Sequence, residues 1–185
     1  MDKQSLRRDI RARRRARSEA ELAAWGVLLA AHVASIPGQT VTAFVGAGGE
    51  VPTVPLLDAL VSDGRRVLLP VTLGDMDLDW AEYTGAAALV PAAFGLLEPT
   101  GPRLGLDAIA QADTILAPAL AVDQSGLRLG QGGGCYDRAL PRAHGLVIAV
   151  LADDEVVLSV PVESHDRPVD AVLTPSGGLM RFPRA

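Results

Sequence analysis

Apolar positions along the chain fall into short blocks with two alternating periods, one helical and one of strand type, and that alternation predicts an α/β protein. Behind a Ser18/Glu21 capping pattern, Leu22, Trp25, Leu29, Val33 and Ile36 keep helical spacing until Pro37 and Gly38 stop them. With the basic segment before them, residues 1–36 read as two helices or one bent helix. Residues 40–45 are β-rich and lead into a turn from Gly46 to Gly49, after which Thr53 is expected to cap a helix reaching about Asp63. Residues 66–70 form the next strand, so the order strand–helix–strand predicts a parallel crossover. Residues 77–83 alternate in polarity as a further strand. The runs 114–122 and 145–151 are continuously apolar, and Ala171–Thr174 is a shorter run of the same kind. Between them, residues 89–105 are rich in Gly and Pro and read as an irregular surface loop around Phe94, Glu98 and Pro99.

A length of 185 residues suits one domain spanning residues 1–185, with a mostly parallel central sheet flanked by helices. Aromatic residues are only 4% of the chain, so the core is built from Ala, Val and Leu. Stacking platforms for single-stranded nucleic acid are then unexpected, and a nucleic-acid partner is disfavoured. Cys135 is the single cysteine, which excludes an intrachain disulfide and a cysteine-built zinc site and fits a cytoplasmic protein. No apolar run approaches the length of about 18 residues that a membrane helix needs.

Charge changes this picture at one end. Residues 1–17 hold eight Lys and Arg against two acids, although the whole chain carries −5. On a helix Lys3, Arg7, Arg11 and Arg14 share a face, with Leu6 and Ile10 on another. That face would suit an anion; a solvated arginine-rich helix, or an arm touching RNA loosely, would give the same pattern.

A second element bears on the choice. Arg128, Leu129, Gly130, Gln131, Gly132, Gly133, Gly134, Cys135, Tyr136, Asp137 and Arg138 come after a buried run and the turn 123–126. In open parallel sheets ligands bind beyond the carboxyl ends of the strands, and four glycines let a backbone approach a bulky anion without Cβ interference. A helix starting near Gly134 would add unpaired N–H groups, and Pro141 should shorten or kink it. The segment lacks the Gly-Lys-Ser/Thr of a Walker A loop and the Rossmann glycine pattern. A structural turn is the plain alternative; the neighbouring Arg128, Asp137 and Arg138 favour a nucleotide.

These residues carry a family resemblance. The segment Arg128 to Arg138 resembles the glycine-rich signature of the 5-formyltetrahydrofolate cyclo-ligase (methenyltetrahydrofolate synthetase) family, except that Cys135 stands where the family often has tyrosine. The stretches 115–123, 95–99, 3–7, 50–53 and 161–166 resemble further motifs of that family in the same order, and together they span nearly the whole chain. The resemblance implies a fold like the NagB/RpiA/CoA-transferase architecture and ATP-dependent closure of 5-formyltetrahydrofolate to 5,10-methenyltetrahydrofolate; a monomer is expected, although no motif fixes the oligomeric state. It implies ATP contacts at Lys3, Arg7, Arg128, Leu129, Gly130, Gln131, Gly132, Gly133, Gly134, Cys135 and Tyr136, and folate contacts at Val45, Glu50, Gln131, Gly132, Gly133, Gly134 and Cys135. It also implies Mg2+ held by Asp137 and Asp166. Two other classes fit the bare loop: a sugar-phosphate isomerase or acyl-transfer enzyme of similar fold, and a non-catalytic nucleotide- or RNA-binding homologue.

Overall fold

The structure is a computed structural model that describes residues 2–163 and 166–183. Two helices open the chain, α1 (Lys3–Arg15) and α2 (Glu19–Ala30), capped by side chains: Asp2 accepts from the Ser5 amide at 2.7 Å and Ser18 from the Glu21 amide at 3.2 Å. Strand β1 (Thr40–Thr42), helix α3 (Val54–Ser62) and strand β2 (Arg66–Thr72) form the expected parallel crossover, and β3 (Leu78–Glu82) returns antiparallel to β2.

Residues 89–105 differ from the irregular loop that their composition predicts. Strands β4 (Leu89–Pro91) and β5 (Leu97–Pro99) pair antiparallel as a small hairpin, and Glu98 accepts a hydrogen bond from the Thr72 amide at 2.9 Å at the end of β2. Three-residue strands bounded by Pro leave too little periodicity to read.

The apolar run 114–122 also divides. Its first part is β6 (Thr114–Pro118) of the main sheet, and its end is β7 (Ala121–Asp123) of a second, smaller sheet with β8 (Arg128–Leu129) and β10 (Val156–Val157). Helix α4 is only Cys135–Ala139 and gives way at Pro141 to a 3-10 turn, as a missing N–H requires. Strand β9 (Leu146–Val150), β11 (Ala171–Thr174) and β12 (Gly178–Arg181) complete the main sheet, whose order is β12-β11-β9-β6-β1-β2-β3. Its five inner strands are parallel and only the two edges run antiparallel.

Successive residues of the inner strands serve opposite faces, which is why these strands read as unbroken apolar runs. Leu69, Leu116, Ile148 and Leu173 pack with Leu29, Leu56 and Leu60 of α2 and α3. Leu68, Ile115 and Ala117 face the other way, against Trp80, Ile109 and Tyr136. Helix α1 stands apart from both layers: Leu6 and Ile10 seat it on Leu120, Ala121 and Leu129 of the small sheet.

Two side chains fix the loops that leave the strands. Thr53 makes no side-chain cap on α3, contrary to expectation. Its hydroxyl instead donates to the Phe44 carbonyl at 2.6 Å and accepts from the Gly46 amide at 3.0 Å, closing the loop after β1. Asp123, 5% exposed, accepts from the Ser125 hydroxyl and the Ser125, Leu127 and Val160 amides and so ties β7, β8 and residue 160 together. Burial alone would raise the Asp123 pKa, but these hydrogen bonds outweigh it and hold the carboxyl below its ordinary range. A depressed carboxyl contributes stability above its ordinary pKa and loses it as pH falls through the depressed value. Asp123→Asn should therefore lower the urea-unfolding free energy at neutral pH by about 1–3 kcal/mol. The deficit should shrink in acid; a deficit constant through acid would contradict this role.

Candidate functional site

Strand β1 lies between β2 and β6, so the chain reverses its direction of travel across the sheet between β1 and β6. The crevice outside the carboxyl ends of such a pair is where open α/β sheets hold ligands. Three chain segments meet there: the 43–53 loop after β1, residues 119 and 120 after β6, and the glycine loop after β8.

Helix α1 lies along these segments, and its cations divide by depth. The Arg7 Nε donates to the Gly130 carbonyl at 2.9 Å, and Arg11 donates to the Gln131 carbonyl at 2.7 Å. Lys3 Nζ sits 2.7 Å from Asp166 and 3.0 Å from Glu163; burial would lower its pKa, but the two carboxylates win and hold the ammonium more firmly charged. Arg14 departs from the shared anion-facing role that its spacing suggests. It is 3% exposed and turns inward: Nε and Nη2 donate to Glu155 at 2.7 and 3.0 Å, Nη2 to the Ala119 carbonyl at 2.6 Å, and Nη1 to Glu50 at 3.2 Å. The helix is thus docked through its charges, and a freely solvated arginine arm is excluded.

In the glycine loop, Gly132 and Gly134 have φ of +104° and +75°, which side-chain-bearing residues rarely adopt. The amides of Gln131, Gly132, Gly133 and Gly134 donate to no group among the described residues. Consecutive free amides on a loop of this kind make an anion-binding concavity. Helix α4 adds little, because five residues carry only a small dipole. Arg128 lies under the loop, donating to the Pro118 carbonyl at 3.1 Å and to Asp137 at 2.7 Å. Burial lowers its pKa, partly offset by Asp137 and also by Asp166, so both carboxylates act on one guanidinium. No cluster of three or more potential metal-ligating side chains occurs among the described residues.

The expected folate residues gather on the other side of the same loop. Glu50 is nearly buried; its Oε1 accepts from Arg14 and from Gln131 Nε2 at 3.1 Å, and its Oε2 accepts from the Ala47 amide at 3.0 Å. Burial pushes its pKa up, opposed chiefly by the charge of Arg14. Val45 packs on the apolar core at the start of this turn. Leu129 and Tyr136 point into the core, so either would meet a ligand through its backbone; the buried Tyr136 hydroxyl has no hydrogen-bond partner among the described residues. Cys135 is half-buried and burial raises its pKa, which keeps the thiol protonated and disfavours a nucleophile. Ser164 and His165 of the late acidic motif lie outside the described residues.

Sequence reasoning missed Glu155, at the end of the 3-10 turn Asp153–Glu155 beyond β9. Three successive acids directly after a buried strand were the available signal, since that position faces the crevice.

The fold and this array define an open α/β protein with a glycine-rich loop at the switch point of a parallel sheet. A profile of the 5-formyltetrahydrofolate cyclo-ligase family matches residues 1–175. The chain is 47% identical over 152 residues to the 5-formyltetrahydrofolate cyclo-ligase of Mycolicibacterium smegmatis, covering 78% of each chain. It is 32% identical over 176 residues to that of Escherichia coli K12, covering 90% of this chain and 97% of the relative. The solved structure of Aquifex aeolicus 5,10-methenyltetrahydrofolate synthetase superposes with a TM-score of 0.83 at 29% identity, over 100% of this chain and 95% of that one. The chain therefore belongs to the 5-formyltetrahydrofolate cyclo-ligase family, which bears out the resemblance read from its motifs and favours it over the isomerase, acyl-transfer and nucleic-acid alternatives.

Docking of α1 over the turn after β1 is open to a matched comparison. Gly48 (φ +60°) has open space where a Cβ would stand, whereas at Gly49 (φ +84°) a Cβ would fall 2.6 Å from the Arg14 carbonyl. Gly48→Ala should cost only the left-handed backbone penalty of about 1–2 kcal/mol. Gly49→Ala should cost clearly more in urea unfolding, and equal losses would mean that the helix does not rest on the turn.

Proposed function

We propose that the chain converts 5-formyltetrahydrofolate to 5,10-methenyltetrahydrofolate with cleavage of ATP to ADP and phosphate. The observation that carries this reading is the juxtaposition of four loop amides without a partner among the described residues and the cations Lys3, Arg7 and Arg128 with the Glu50 turn across one crevice. Phosphoryl transfer asks the protein for alignment and charge neutralisation, and that is what such an array supplies. The γ-phosphoryl group passes to the formyl oxygen, N10 attacks the activated carbon and loses its proton, and the C–O bond breaks so that phosphate leaves with the former formyl oxygen.

On this reading Lys3, Arg7, Arg128 and the backbone from Leu129 to Tyr136 hold ATP. Val45 walls the pterin ring, and Glu50 accepts one of its N–H donors. Of the roughly four lone-pair sites on a carboxylate, Glu50 commits three to Arg14, Gln131 and Ala47, which leaves one on Oε2 for that donor. Asp137 and Asp166 fit a magnesium ion, because such an ion takes one or two carboxylates and completes its shell with phosphate oxygens and water. When bound, the ion would neutralise phosphate charge. Asp137 is open to it, with its side chain 63% exposed beside Arg128. We extend the proposal to one domain over residues 1–185, acting as a cytoplasmic monomer; no helix among the described residues is long and apolar enough to cross a membrane.

The direct test is the appearance of the methenyl chromophore from 5-formyltetrahydrofolate in the presence of ATP and magnesium. Product that forms equally without ATP, or none under any condition, would overturn the reading. Within an active enzyme, Arg7→Ala should raise KM for ATP about 10-fold or more, as loss of a charge-assisted contact implies, with a smaller rise for the folate. Equal changes in both would remove Arg7 from the nucleotide side.

A further inference from the structure

Glu155 is not among the residues expected to meet either substrate, yet it is 0% exposed and its carboxylate is engaged at both oxygens. Its Oε1 lies 2.7 Å from Arg14 Nε and 2.9 Å from Arg17 Nη1, and its Oε2 accepts from Arg14 Nη2 at 3.0 Å and from the Ala152 amide at 3.1 Å. The bidentate pairing and the Ala119 carbonyl hold two edges of a planar guanidinium. A planar group fixed at two edges has no freedom left at the third, and there Nη1 meets Glu50 Oε1.

Burying this pair contributes little net stability, because apolar residues of the same volume would serve the fold as well or better. What only a paired guanidinium supplies here is a fixed N–H aimed at the Glu50 carboxylate. The Gln131 amide at the same oxygen and the Ala47 amide at the other complete that orientation.

We propose that Glu155 is a positioning residue for folate recognition, acting through Arg14 to hold the Glu50 carboxylate in the one orientation that leaves an Oε2 lone pair facing the crevice. This rests on the proposed function, in which Glu50 receives an N–H donor of the folate. Nucleotide binding, built from Lys3, Arg7, Arg128 and the loop amides, does not pass through Glu155.

The experiment is steady-state kinetics of Glu155→Gln, Glu50→Gln and the double variant, with thermal melting of each. Glutamine places an N–H against the N–H groups of Arg14, so Glu155→Gln should raise KM for 5-formyltetrahydrofolate about 10-fold, as a coupled contact of 1–2 kcal/mol implies. KM for ATP should change by less than about 3-fold, a split that loss of a helix anchor would not produce. In the Glu50→Gln background the same change should add little to the folate KM. Two results would overturn the proposal: a lowered melting temperature with both KM values unaltered, or equal rises for ATP and folate. Should Glu155→Gln fail to fold, Arg14→Lys replaces it, because an ammonium cannot reach Glu155, Ala119 and Glu50 together. A parent protein that makes no methenyl product would fail the functional reading by itself. The inference would then be read from equilibrium titration of 5-formyltetrahydrofolate, where an affinity equal in parent and variant overturns it.

Discussion

The guanidinium of Arg14 joins the segments beyond three parallel strands: Glu50 after β1, Ala119 after β6 and Glu155 after β9. Strand ends in an open sheet are held together by the ladder only as far as the last paired residue, and the chain past that point is loop. A crevice at those ends keeps its shape only if something crosses it, and here a side chain from an N-terminal helix does so. Removing one partner of a buried pair of this kind costs about 3–5 kcal/mol, because the other charge is left without compensation. The same helix carries Lys3, Arg7 and Arg11 to the neighbouring loop, where Leu6 and Ile10 seat it on the small sheet through contacts separate from those of Arg14.

The electrostatics result from that arrangement. The chain as a whole is acidic, at −5, yet the residues bordering the glycine loop are cations on α1 and Arg128 beneath it. Carboxylates there are paired rather than absent: Asp166 with Lys3, Asp137 with Arg128, Glu50 and Glu155 with Arg14. Such pairing fixes cations in place beside the glycine loop, whose amides from Gln131 to Gly134 donate to no group among the described residues.

Much of the fold was legible because both faces of the inner strands are covered, so β2, β6, β9 and β11 appear as apolar runs without alternation. The glycine loop was legible for a different reason: positive φ at Gly132 and Gly134 restricts the residue type directly. Features set by tertiary contact left no such mark. The β4–β5 hairpin is too short for a period, and the break at Ala119 and Leu120 hides inside an apolar run because both sheets bury their part of it. Thr53 looks like a helix cap but spends its hydroxyl on the loop behind it. Arg14 shares the spacing of Lys3, Arg7 and Arg11, and only the acid beyond β9, 141 residues away, decides that it points inward.

Hydrogen exchange of Arg14→Ala against the parent measures most directly whether this one side chain organises the crevice. The hydrogen-bonded amides of the 43–50 loop, those of Gly46 and Glu50 and above all the Ala47 amide that caps Glu50, should exchange faster in the variant. Those of β6 and β9 in the core should keep their protection relative to global unfolding. Unchanged exchange in that loop, or a uniform rise across loop and strands alike, would contradict the account.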